Sequence, residues 1–160
     1  MGYTTDFNGH FKVEPKLDKE TADLINGIAS TRRMKRDLHV LATMLKKNYL
    51  ECLQKYGFEG ELYYDNGQET DPSIIDHNLP PSTQPSLWCQ WVYKPEEGII
   101  EWDHGEKFYE YVEWIKYLIN RILQPKGYTL NGTVYWEGED PSDKGEIIIM
   151  NNKVYSKNTY

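Results

Sequence analysis

Phe11 and Val13 alternate with polar residues over residues 9–14, and Pro15 ends the run, which predicts a short strand. Asp18 then stands where a helix cap is needed, ahead of Ala22, Ile25 and Ala29 at helical spacing. From about Ser30 onward Met34, Leu38, Leu41, Leu45, Tyr49 and Cys52 recur every three or four residues. That single apolar stripe predicts one helix of about five turns, stopped by Gly57 and Gly60.

Residues 61–86 lose all periodicity. Asp65-Asn66-Gly67, Asp71-Pro72, Pro80-Pro81 and Gln84-Pro85 mark turns through a loop of unusual length; such loops in compact domains are usually functional or disordered, and a link between two domains is the competing reading. Leu87, Cys89, Trp91 and Tyr93 then alternate with Trp88, Gln90 and Val92, a strand apolar on both faces. Pro95-Glu96-Glu97-Gly98 turns it into Ile99-Ile100-Glu101-Trp102 as a hairpin. Asp103 and Glu106 have capping-box spacing for a helix that buries Phe108, Tyr111, Val112, Ile115, Leu118, Ile119 and Ile122. A strand over 129–137 follows, with Leu130, Val134 and Trp136 on one side. The chain closes on a hairpin turned at Asn151-Asn152.

The order β-α-α-β-β-α-β plus a hairpin predicts an α+β fold of one domain over 1–160. Its antiparallel sheet carries the helices on one face, in the split-βαβ (ferredoxin-like) pattern with an added C-terminal hairpin. No internal repeat interrupts it.

Composition sharpens this picture in two ways. Thirteen Tyr and 5 Trp stand against 4 Phe, so the core must be filled partly by rings that carry a polar group, and some of these are expected at a binding surface. All the Trp lie between positions 88 and 136. A formal charge of -7 argues against general nucleic-acid binding, which needs clustered cations. Cys52 and Cys89 match no metal or redox spacing and are expected as free buried thiols. The absence of a signal-like or spanning apolar run leads to the expectation of a cytoplasmic, non-membrane protein. Asn131-Gly132-Thr133 is then a chance sequon.

Three constellations carry candidate chemistry. Arg32, Arg33, Lys35 and Arg36 open the expected long helix, where the macrodipole favours anions, so the cations point to an anionic ligand. Arg suits bidentate phosphate contact; the competing reading is a solvated or carboxylate-paired face. Asp76, Asn78 and Gln84 lie in the Pro-stiffened loop that runs into Trp88, Gln90 and Trp91, with Trp102 on the next strand. A rigid polar loop loses little entropy on closing over a ligand, and Gln90 among aromatics needs partners; the competing reading is a loop that satisfies its own backbone. Glu101, Asp103, Glu106, Glu137, Glu139 and Asp140 surround Trp102 and Trp136. They suit acid–base work or a divalent metal in principle, but turns and caps explain them as well. His10, His39, His77 and His104 lack metal-ligand spacing, no nucleotide-loop or nucleophile motif occurs, and no cofactor is implied.

The runs 31–37, 75–91, 101–109 and 127–140 include Asp76-His77-Asn78-Leu79-Pro80-Pro81, Trp88-Cys89-Gln90-Trp91 and Glu101-Trp102-Asp103-His104-Gly105-Glu106. Through them the chain resembles an uncharacterised family of small α+β proteins found in tailed-phage and bacterial genomes. The resemblance implies a phage or mobile-element setting, hence the cytoplasm of a bacterial host, and transfers no catalytic residue. Together these readings lead to the expectation of a binding protein for a small anionic, nucleotide-like ligand. Arg32, Arg33 and Arg36 would hold phosphate, rings would stack on the base, and a host immune signal would be sequestered. An inhibitor docking on a host protein through an acidic, aromatic surface is the second expectation, and a small hydrolase or transferase using the carboxylates the third. A homo-oligomer is compatible with each.

Overall fold

A computed structural model describes residues 3–64 and 71–158. In chain order these form β1 (Thr5–Glu14), α1 (Lys19–Ser30), β2 (Lys35–Arg36), α2 (Leu38–Leu45), α3 (Tyr49–Tyr56) and β3 (Ile74–Asp76). There follow β4 (Trp91–Lys94), β5 (Ile99–Trp102), α4 (Tyr111–Leu118), β6 (Thr129–Gly138), β7 (Lys144–Met150) and β8 (Lys153–Asn158). The fold is α+β. Its residues divide into two compact units: one takes the chain up to Asn26 and again from Gln90, the other takes 27–89.

The first unit holds a six-stranded sheet in the order β4-β5-β1-β6-β7-β8, antiparallel at every pairing. The first four strands have the order and connections of the split-βαβ pattern, and the β7–β8 hairpin extends the sheet beyond β6. As the sequence predicts, the Asp18 carboxylate caps α1 by accepting the Thr21 amide at 2.7 Å, and Asn151 and Asn152 turn the last hairpin at positive φ. The Gly residues of the β1–β6 ladder are obligatory where the strands close in. A Cβ on Gly9 (φ 115) would lie 2.6 Å from the Thr133 carbonyl oxygen, and one on Gly132 (φ 144) 2.6 Å from that of His10.

Strand alternation divides this sheet into two unlike faces. Phe7, Phe11 and Val13 are buried, while Asp6, Asn8, His10 and Lys12 between them are exposed. On the buried face the Phe7 ring meets Trp91 at 5.6 Å, Trp102 at 5.2 Å and Tyr111 of α4 at 4.9 Å. Such tilted and edge-on pairs add about 1 kcal/mol each beyond the burial itself.

Four sequence expectations are corrected here. The helix after Asp103 does not begin there: 103–110 is an irregular loop, with His104, Lys107 and Glu110 at positive φ, and α4 starts at Tyr111. Asp103 spends its carboxylate on the Gly105 amide at 2.7 Å, a local turn that replaces the capping box. Trp114 joins Ile115 and Leu118 of α4, and Ile119 and Ile122 of the helical turn that follows, among the buried residues, and Val112 is only half-buried. The strand expected from Leu87 begins at Trp91 instead.

In the second unit the long helix from Ser30 does not form. The backbone amides of Arg33, Lys35 and Asp37 donate to the carbonyls of Leu87, Leu79 and Ser73, which draws 33–37 out into extended chain. β2 pairs there with β3, a strand inside the stretch read as pure loop. Only then does Asp37 cap α2, accepting from His39 and Val40. Lys46 adopts a left-handed conformation (φ 56) and Asn48 caps α3, so the apolar stripe is carried by two short helices. The Asp65-Asn66-Gly67 turn lies outside the described residues. Cys52 and Cys89 are buried thiols, joined in no disulfide. Among the described residues no helix is long and apolar enough to cross a membrane.

Candidate functional site

The expected ligand residues separate between the two units. Arg32, Arg33, Arg36, Asp76, Asn78, Gln84 and Trp88 belong to the second, and Gln90, Trp91 and Trp102 to the first. None of the three Arg side chains starts a helix. The Arg33 guanidinium is buried; it donates to the Gln84 side-chain oxygen at 3.2 Å, to the Thr31 hydroxyl at 2.7 Å and to the carbonyls of Glu61 and Tyr63 at 2.8 and 2.9 Å. Gln84 is buried beside it and donates to the same Glu61 carbonyl at 2.7 Å. Arg36 pairs with Asp71 at 2.7 Å, donates to Ser73 and lies 4.4 Å over the Tyr63 ring. Burial works to raise the Asp71 carboxyl, yet the bonds from Ser73 and Arg36 outweigh it and hold it below the usual range. Arg32 is half-buried and donates to the His77 carbonyl at 2.8 Å and to the Asn78 side chain at 3.2 Å, while Asp76 accepts the Asn78 amide. The Pro-rich loop is thus held by the arginines. Trp88 is exposed.

In the first unit Gln90 finds the partners that its setting demands. Its amide nitrogen donates to the Glu106 carbonyl at 2.7 Å, and its oxygen accepts the Trp102 indole N–H at 3.1 Å. The Trp91 indole donates to the Tyr111 carbonyl at 2.9 Å. These three side chains are buried; Gln90 fastens the 103–110 loop and Trp91 the start of α4. Partial burial pushes the Asp103 carboxyl in that loop above its usual range, against the opposing pull of the Gly105 amide and His104. Of the remaining carboxylates, Glu139 accepts the Thr4 amide and Asp140 closes the 140–143 turn through Ser142.

The outer face of the sheet is bonded at one end, where Lys12 donates to the Glu97 carbonyl at 3.3 Å, and lies open around Tyr135. A groove of about 310 Å³ opens there, lined by the side chains of Asp6, Asn8, Tyr135, Glu137 and Lys144, with Phe7, Trp136 and Gly145 along the row between. Register makes the set: Asp6 pairs with Glu137 and Glu137 with Lys144 across β1, β6 and β7, while Asn8 pairs with Tyr135 in the next outward row. Tyr135 is 57% exposed. Two carboxylates directly opposite one another disfavour a strand pair, and Lys144 beside Glu137 offsets part of that cost. The combination is a flat ring, an amide, two acceptor-only groups and one cation. It suits a ring-bearing ligand with N–H or O–H donors and a nearby negative group. Sequence reading singled out Glu137 alone on this face, because the others are single polar positions alternating with core; the further signal was Tyr135 lying out of phase with Val134 and Trp136. Among the described residues no three His, Cys, Asp or Glu side chains gather as metal ligands would.

Comparison with protein-family models, curated proteins and solved structures returns no match to this chain.

Proposed function

We propose that the protein is a binding module for a small, nucleotide-like ligand, and that the ligand sits on the open sheet face of the first unit. The observation that carries the reading is the exposed Tyr135 ring standing beside the groove of Asp6, Asn8, Glu137 and Lys144. A base stacks on the ring, an interaction worth about 1–3 kcal/mol. Carboxylate and amide groups accept from and donate to base edges and sugar hydroxyls, as Glu, Asp and Asn do in base recognition. The Lys144 ammonium takes the phosphate. Arg33 and Arg36, already engaged by protein groups, serve as scaffold in this reading.

Equilibrium dialysis of a panel of purine and pyrimidine mononucleotides against the wild type and Tyr135→Ala tests it. The expected result is saturable binding of at least one mononucleotide, weakened about tenfold or more by the substitution. No binding across the panel, or binding indifferent to Tyr135, contradicts it.

A further inference from the structure

The open face does not end at the groove. β7 and β8 continue it, and strand alternation sets Lys144, Glu146, Ile148 and Met150 outward on β7, with Lys153, Tyr155 and Lys157 outward on β8. Tyr155 is 52% exposed and pairs with Ile148, while Tyr135 shares its row with Glu146 and Lys157. The two tyrosines therefore lie on the same face, two strands across and two residues along, about 12 Å apart between backbones at normal strand spacings. Lys153 and Lys157 flank Tyr155 at i±2. The outward surface of the hairpin thus carries three lysines and one glutamate on a chain of net charge -7.

We propose that this surface extends the ligand site into a track for a short single-stranded oligonucleotide, with one base on Tyr135 and another on Tyr155. The proposal rests on the reading of the Tyr135 groove given above and adds the class of its ligand. Spacing and charge both point to it. Ring-bearing residues whose backbones stand about 12 Å apart do not match neighbouring bases that stay stacked at a rise of about 3.4 Å, so the occupant is an extended strand with splayed bases. A duplex keeps its bases stacked inside and presents none to a ring lying on a flat sheet. Lysines flanking the second ring meet the phosphates between the bases. With only three such cations, log affinity falls against log salt with a slope of about -2, which is roughly a 20-fold loss from about 50 to 200 mM. The remaining acidic surface keeps longer, nonspecific binding weak.

A length series of thymidylates (mononucleotide, dinucleotide, tetranucleotide and octanucleotide), with an eight-base-pair duplex alongside, decides the matter when titrated into the full chain. Wild type is expected to gain about tenfold or more in affinity from mononucleotide to tetranucleotide, with the duplex weaker than the single strand. Tyr155→Ala is expected to lose that gain while keeping wild-type affinity for the mononucleotide, which also shows that the variant is folded. A mononucleotide that binds through Tyr135 with no gain on lengthening, a gain that survives Tyr155→Ala, or a duplex bound as tightly as the single strand overturns this inference alone. Failure of every thymidylate and of the mononucleotide panel overturns the groove reading together with it.

Discussion

The Nε–H of Arg33 donates to the side-chain oxygen of Gln84 at 3.2 Å, joining residues 51 positions apart inside the second unit. The same guanidinium serves Thr31, Glu61 and Tyr63, so one cation ties the start of the extended segment to both Glu61 and Gln84, near the two ends of the 61–86 stretch. Arg33→Met removes the donor and strands buried acceptors. A loss of about 3 kcal/mol or more is expected, read as a lowered urea midpoint. Arg33→Lys keeps the charge without the planar fork and should recover only part of it. An unchanged midpoint in Arg33→Met would show that the guanidinium is not structural.

Gln90 makes a second prediction, because its two ends do opposite work. Gln90→Leu loses the bonds to Trp102 and Glu106 and is expected to cost about 2 kcal/mol. Gln90→Glu keeps an acceptor for the Trp102 indole but turns a carboxylate oxygen toward the Glu106 carbonyl, so it should also be destabilised. Thermal unfolding followed through Trp fluorescence compares the three proteins. Equal stability of Gln90→Glu and wild type would contradict the role given to the amide nitrogen.

Acid stability follows from Asp71. Its folded carboxyl is depressed, since the Ser73 and Arg36 bonds outweigh burial. A depressed carboxyl binds protons more readily in the unfolded chain. Its contribution is therefore present above the ordinary Asp value of about 4 and disappears as pH falls through that value toward the folded one. Asp71→Asn should be less stable than wild type near neutral pH, with the gap closing below about pH 4. Denaturation midpoints across that range check this; a gap that stays constant with pH would remove the Arg36–Asp71 pair from the account.

The α+β class and the strand order were legible because local signals and tertiary structure agree there. Asp18 caps its helix, Asn151 and Asn152 turn their hairpin, and Leu130, Val134 and Trp136 face the core together. Failures came where distant partners override local pattern. The Met34-to-Cys52 stripe is truly apolar, yet Leu79, Leu87 and Ser73 take the amides of 33–37 and unwind its start, and the left-handed Lys46 divides the rest. Asp103 and Glu106 have the right spacing for a cap but sit within an irregular loop that Gln90 holds at the Glu106 carbonyl. The arginines were singled out as holders of an anionic ligand; no local pattern could show that they bond to carbonyls and side chains of the second unit. The groove is a cross-strand set, visible only once register aligns Asp6, Glu137 and Lys144.

Amide chemical shifts of the ¹⁵N-labelled chain, recorded while a mononucleotide is added, test the location of the site most directly. The account predicts that the perturbed signals centre on Asn8, Tyr135, Glu137 and Lys144, with Arg32, Arg33 and Arg36 unmoved. Shifts centred on the arginines and the Pro-rich loop, with the β1–β6–β7 face silent, would contradict it.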